Sequence, residues 1–102
     1  NKLLKDSKLL EEAGVFAIVL ECIERKLSKE ITDSINIPTI GIGSSNFCDG
    51  QIMVTDDLLG LTDTKIKFVK KYADLKGSVK NAVKKFKLEV KKGSYPSIKY
   101  SY

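Results

Sequence analysis

The chain of 102 residues has no histidine, a single arginine (Arg25), two cysteines, two prolines and no long apolar run. Without histidine, no nucleophile–histidine pair of the serine- or cysteine-hydrolase kind can form. Cys22 and Cys48 give no zinc-binding spacing and read as reduced thiols, which points to a cytoplasmic setting. A disulfide between them would need Cα atoms within about 7 Å. No stretch approaches the roughly 18 apolar residues of a membrane span. The N-terminus reads as an amphipathic helix, not as a charged region followed by an apolar run, so no secretory signal is expected.

The scarcity of arginine also bears on the net charge of +5. The excess sits late, from Lys65 to Lys92. There the lysines alternate with an apolar stripe of Val79, Ala82, Val83, Phe86 and Val90 at helical spacing. That pattern predicts a solvated face opposite a buried one. Sequence-reading nucleic-acid surfaces usually add arginine forks or stacking aromatics. A nucleic-acid partner therefore ranks last among the readings, and no membrane partner is expected.

What is present is an ordinary folded composition, 42% apolar. Residues 2–13 read as a helix with Leu3, Leu10 and Ala13 on one side and Gly14 as its stop. Residues 15–20, VFAIVL, form an unalternating apolar run, predicting a strand buried on both faces of a parallel sheet. Helical spacing returns over 23–34 through Ile23, Leu27 and Ile31. Pro38 opens a second strand over 39–42, and 51–54 is a third. A short helical turn over 56–60 follows, then a helix over 65–75 packing Phe68, Val69, Tyr72 and Ala73. Gly77 is expected to end that helix, Ser78 to cap the next, and Gly93 to stop it. The tail, with Pro96 and three tyrosines, is expected to run extended and pack by its rings.

This order predicts an α/β chain of βα units with about three parallel strands and flanking helices. A closed (βα)8 barrel needs eight strands and about 250 residues. Three strands could form half of a barrel or a small open sheet, so residues 1–102 are expected to be a fragment of a larger domain, with Asn1 entering mid-helix. In such folds functional groups gather at the carboxyl ends of strands. Glu21 stands there, directly after VFAIVL, as a candidate acid–base carboxylate; otherwise it merely charges the start of the next helix. The turn Gly41-Ile42-Gly43-Ser44-Ser45-Asn46 either lets backbone approach a ligand or simply turns. Asp49-Gly50 reads as a turn pair and Asp56-Asp57 as a helix start, not as metal ligands.

Taken together, these motifs resemble the last three strands of the ketopantoate hydroxymethyltransferases. The run 10–22, LEEAGVFAIVLEC, resembles the sixth-strand region; 37–43, IPTIGIG, the seventh; and 48–54, CDGQIMV, with DLLGL at 57–61, the eighth. KFVKKYADL at 67–75 and GSYPS at 93–97 also match. The chain departs where Gly43-Ser44-Ser45 stands for the usual Gly-Ala-Gly, where Ile23-Glu24 lacks a common proline, and where Asp56 and Lys99-Tyr100 replace histidine-bearing positions. The resemblance implies the C-terminal portion of a TIM barrel, with the N-terminal strands absent. It implies transfer of a hydroxymethyl group from 5,10-methylenetetrahydrofolate to 3-methyl-2-oxobutanoate, giving ketopantoate for pantothenate synthesis. Glu21 matches the proton acceptor. Mg²⁺ would polarise the keto oxygen, its ligands lying on earlier strands and none in this chain. The resemblance further implies a cytoplasmic homo-oligomer, such as a decamer, and an isolated chain that is inactive. The competing reading is a non-catalytic α/β binding or scaffold fragment.

Overall fold

In the computed structural model, which describes residues 1–102, Pro38 decides where the parallel sheet begins. Proline has no N–H to give a ladder, so pairing starts one residue later, at Thr39. Strand β1 (Ile18–Glu21) pairs with β2 (Thr39–Ile42) from Ile18↔Thr39 to Glu21↔Ile42. The Ile18 N–H donates to Pro38 O at 2.9 Å, and Cys22 N–H closes the ladder on Ile42 O at 3.0 Å. The expected strand at 15–20 is thus shifted forward. Val15 N–H is drawn back to Leu10 O, and Phe16 stands 91% exposed. Strand β3 (Gly50–Gln51) adds to β2 in parallel, giving the order β1-β2-β3. It is shorter than expected because β2 runs out at Gly43, whose φ of 66° turns the chain out of the ladder.

Helix α1 (Lys2–Glu12) starts at an N-cap, since the Asn1 side chain accepts the Leu3 N–H at 2.9 Å. The inward face is not Leu3–Leu10–Ala13 but Leu4, Ser7 and Glu11. Leu4 packs on the core, Ser7 is buried with its hydroxyl on Leu3 O, and Glu11 accepts the Asn36 N–H. A buried serine lets the helix approach closely at no cost in unpaired polar groups.

Helix α2 (Arg25–Ser34) lays Leu27 and Ile31 on the sheet side, joined by its C-cap residue Ile35, and Leu20, Ile31, Ile35 and Cys48 form the core. Each such side chain contributes roughly 1.5–3 kcal/mol on burial. Only one face of the sheet is covered in this way. Val19, on the opposite face, is 56% exposed, which corrects the expectation of a strand buried on both sides. Thr39, fully buried, is satisfied by Thr32 Oγ1 at 2.9 Å and by the Asp49 carboxylate, which accepts its N–H at 2.8 Å. Both cysteines are free thiols.

The chain divides into two units, residues 1–54 with 65–70, and residues 55–64 with 71–102. The second contains α3 (Thr55–Leu58), α4 (Leu75–Lys91) and a 3-10 turn (Ile98–Tyr100). The helix expected over 65–75 is absent. Helical bonding would send the Tyr72 N–H to Phe68 O, but it donates instead to Leu58 O at 2.8 Å. Val69 N–H closes a turn on Ile66 O. Helix α4 then begins at an Asp74 cap, not at Ser78. The Asp74 carboxylate accepts the Gly77 N–H at 3.0 Å, and a side chain at Gly77 would collide with that carboxylate. Gly93 ends the helix as expected, with φ of 71° and a Ser94 N–H to Glu89 O bond.

The stripe expected to be buried on α4 is open: Val79, Val83, Phe86 and Val90 are each about half exposed or more. In the tail, Tyr95 meets Phe86 edge-on at 5.5 Å and Tyr100 lies 6.1 Å from Tyr95, whereas Tyr102 projects freely. The tail so packs by two of its three rings, and coils at Ile98–Tyr100 instead of running extended. No helix is long and apolar enough to cross a membrane.

Candidate functional site

Glu21 is the last residue of β1, opposite Ile42 at the carboxyl end of β2. Side chains alternate along a strand, so Glu21 shares the uncovered face with Val19 while Leu20 points to the core. Its carboxylate is exposed and makes no hydrogen bond within the chain. The competing structural role, capping the following helix, belongs to Glu24. There the carboxylate accepts the N–H groups of Lys26 and Leu27 at 3.0 and 3.2 Å. Those two backbone bonds, helped by the Lys26 charge, hold the Glu24 carboxyl below its ordinary value. With the cap already made, Glu21 has no evident task in the local fold.

The backbone just beyond Glu21 is fixed by Ser44. Its hydroxyl donates to Leu20 O at 2.6 Å and accepts the Ile23 N–H at 3.0 Å. One side chain from the β2 loop thus satisfies two groups that the parallel ladder leaves over. Between those anchors Cys22 sits at φ 52°, left-handed for a residue other than glycine. Such a conformation costs on the order of 1–3 kcal/mol and persists only where neighbouring bonds enforce it. The turn after β2 is held in kind. A Cβ at Gly43 would lie 2.6 Å from Phe68 Cγ, so only glycine admits that ring.

These loops border an open cavity of about 710 Å³ at the carboxyl ends of β1 and β2. Cys22, Arg25, Asn46, Gln51, Lys67 and Phe68 line it together with the Gly43–Ser45 backbone turn. Glu21 itself does not; its neighbour Cys22 does. Arg25 stacks on Phe47, guanidinium to ring centroid 4.7 Å. Gln51 donates through Nε2 to Ser45 O at 2.7 Å, leaving its carbonyl oxygen free. Of the turn at 41–46, Gly43 to Asn46 border this cavity. Arg25, Gln51, Lys67 and Phe68 were not legible as a set. Lys67 is one lysine among many, and only the uniqueness of Arg25 could have drawn attention to it.

The remaining acidic candidates are structural. Asp49 pins Thr39, accepting its N–H and bonding its hydroxyl, and Asp57 accepts the Thr62 hydroxyl at 2.6 Å. Nowhere do three cysteine, aspartate or glutamate side chains converge.

Residues 1–98 match the family model described as ketopantoate hydroxymethyltransferase. Among curated proteins, the chain is 54% identical over 100 residues to a 3-methyl-2-oxobutanoate hydroxymethyltransferase of Pelagibacter ubique (strain HTCC1062), covering 98% of this chain and 39% of that protein. It is 52% identical to the enzyme of the same name from Clostridium botulinum (strain Loch Maree / Type A3), covering 100% of this chain and 38% of that protein. The corresponding protein of Buchnera aphidicola subsp. Schizaphis graminum is 50% identical, again over 100% of this chain and 39% of its own length. The chain thus spans about two fifths of the length of these relatives.

Proposed function

The chain belongs to the ketopantoate hydroxymethyltransferase family, and from that premise we propose that it forms the catalytic-base portion of such an enzyme. The reaction is transfer of a hydroxymethyl group to 3-methyl-2-oxobutanoate, with 5,10-methylenetetrahydrofolate as donor and ketopantoate, a pantothenate precursor, as product. In this reading β1, β2 and β3 are the last three strands of a (βα)8 barrel. The face bearing Val19 and Glu21 looks into its interior.

The observation that carries the proposal is the position of Glu21: terminal in β1, on the uncovered face, and relieved of helix capping by Glu24. A carboxylate so placed acts as a general base. It takes the proton from C3 of the oxo acid, and the electron pair of that C–H bond becomes the enolate carbon nucleophile. The enolate then forms its C–C bond to the one-carbon unit of the donor, whose bonds to the folate nitrogens break; water supplies the hydroxyl oxygen, and tetrahydrofolate leaves carrying the nitrogen lone pairs and a proton. Mg²⁺ is the proposed cofactor, and its ligands would come from residues outside these 102. By the same reading the working enzyme is a cytoplasmic homo-oligomer.

The test is ketopantoate formation by a full-length enzyme carrying this chain, wild type against Glu21→Gln. The substitution preserves shape and removes the basic oxygen, so turnover should fall at least 1000-fold, toward the upper end of what general-base catalysis supplies, roughly 10²–10⁴. Circular dichroism should remain unchanged. Near-wild-type turnover in Glu21→Gln would refute the role, and absence of product from the wild type would favour a non-catalytic scaffold.

A further inference from the structure

The cavity beside Glu21 holds two cations that nothing in the chain neutralises. Arg25 and Lys67 both line it, and neither makes an ion pair or a side-chain hydrogen bond. Arg25 is nevertheless not free to wander, because its guanidinium is held against the Phe47 ring. Lys29, which approaches the other available part of that ring at 5.5 Å, is already paired with Asp33. The side-chain amide of Asn46 and the carbonyl oxygen of Gln51 add unused hydrogen-bonding groups, and Phe68 supplies an apolar wall. Two like charges gathered at one concave surface repel each other unless an anion joins them. A planar guanidinium fixed by stacking is suited to forked hydrogen bonding with a carboxylate.

Two further observations narrow the ligand. A phosphate would be expected to use the free N–H groups at the start of α2, but the Glu24 carboxylate occupies those donors and places a negative charge there. The size, about 710 Å³, falls in the range of sites for drug-sized molecules. A five-carbon oxo acid would leave most of it empty.

We propose that this cavity binds the carboxylate-bearing glutamate end of the folate donor, with Arg25 and Lys67 as its anchors. The inference rests on the folate-dependent reaction proposed above, and it assigns a specificity site that the general-base role of Glu21 does not require. Cys22 forms the edge where the cavity meets the strand bearing Glu21, so a donor anchored there has its remaining length available to reach the base.

The experiment uses a full-length enzyme carrying this chain and two donors, 5,10-methylenetetrahydrofolate and 5,10-methylenetetrahydropteroate, which lacks the glutamate. With wild type, KM should be about tenfold or more higher for the pteroate donor, as loss of a charge-assisted contact implies. Arg25→Ala and Lys67→Ala should each raise KM for the folate donor by a similar factor, leave KM for 3-methyl-2-oxobutanoate within about twofold, and abolish discrimination between donors. Lys8→Ala, a charge-matched change on α1, should alter neither KM. Equal KM for the two donors in the wild type, which needs no variant to fold, would overturn the proposal. So would a rise confined to the oxo acid. If the wild type forms no ketopantoate, the reaction assignment fails separately. Calorimetric binding of p-aminobenzoylglutamate then decides the cavity: binding weakened by Arg25→Ala supports it, and no binding to wild type overturns it.

Discussion

Ser44 shows how much one small side chain can organise. It bonds Leu20 O and Ile23 N–H at once, and so sets the path of Glu21 and Cys22 between them. Removing the hydroxyl leaves two part-buried backbone groups unpaired, a cost of about 1–3 kcal/mol. Ser44→Ala should lower the denaturation midpoint accordingly and reduce turnover more than it raises KM, because it displaces the base and not a binding group. An unchanged midpoint in urea titration would show that water replaces both bonds. At this scale the sequence was informative about identity and weak about role. Glu21 stood out as the charge after an apolar run, yet whether it or Glu24 served the helix could not be read from spacing. Both precede Arg25 closely, and only the cap geometry at Glu24 separates them. Asp49 was legible as a turn residue but not as the partner of Thr39, ten positions away and meeting it only through the sheet.

Among the elements, α2 depends on its cap. In the unfolded chain Glu24 returns to its ordinary value near 4.5, while in the fold the Lys26 and Leu27 N–H groups hold it lower. A group depressed on folding contributes stability that is fully present above its unfolded value and is lost as pH falls through the folded one. Acidification below about pH 4.5 should therefore destabilise wild type more steeply than Glu24→Gln, whose cap does not titrate. Parallel pH profiles in thermal unfolding would contradict this. Asp63 follows the same sign, held low first by its hydrogen bond and then by its charge interaction with Lys76. Being fully exposed, it should be screened by salt and add little. Elements marked by local signals were readable: α2 by its helical spacing, β2 by Pro38 before it and Gly43 after it, and the Gly93 stop emerged nearly as expected. The helix expected at 65–75 failed for a reason periodicity does not contain. Its apolar spacing is helical, but the Tyr72 N–H finds Leu58 O and the Phe68 ring finds the space left by Gly43. Tertiary partners outbid a local preference.

Over the whole molecule, the correction that matters most is exposure. The stripe on α4 and the Val19 face of the sheet carry the hydrophobic pattern of buried surfaces and lie open in this chain. The pattern was legible; what covers it was not, because covering is a property of partners that sequence periodicity does not name. In the barrel reading, the Val19 face is closed by the remaining strands. In that same reading, those strands would also bring the cation ligands, since no cluster of three ligating side chains is present here. The 102 residues alone should accordingly neither bind Mg²⁺ in the micromolar range nor form ketopantoate. Titration calorimetry of the isolated chain checks the first, and a micromolar isotherm would contradict it.

The central claim is that Glu21 removes the C3 proton of the oxo acid. Proton removal can be watched without the one-carbon transfer, by following loss of deuterium from 3-methyl-2-oxobutanoate labelled at C3, with full-length enzyme and no folate. Wild type should wash the label into solvent and Glu21→Gln should not, even at enzyme concentrations that saturate the substrate. Exchange at the wild-type rate in Glu21→Gln would place the base elsewhere.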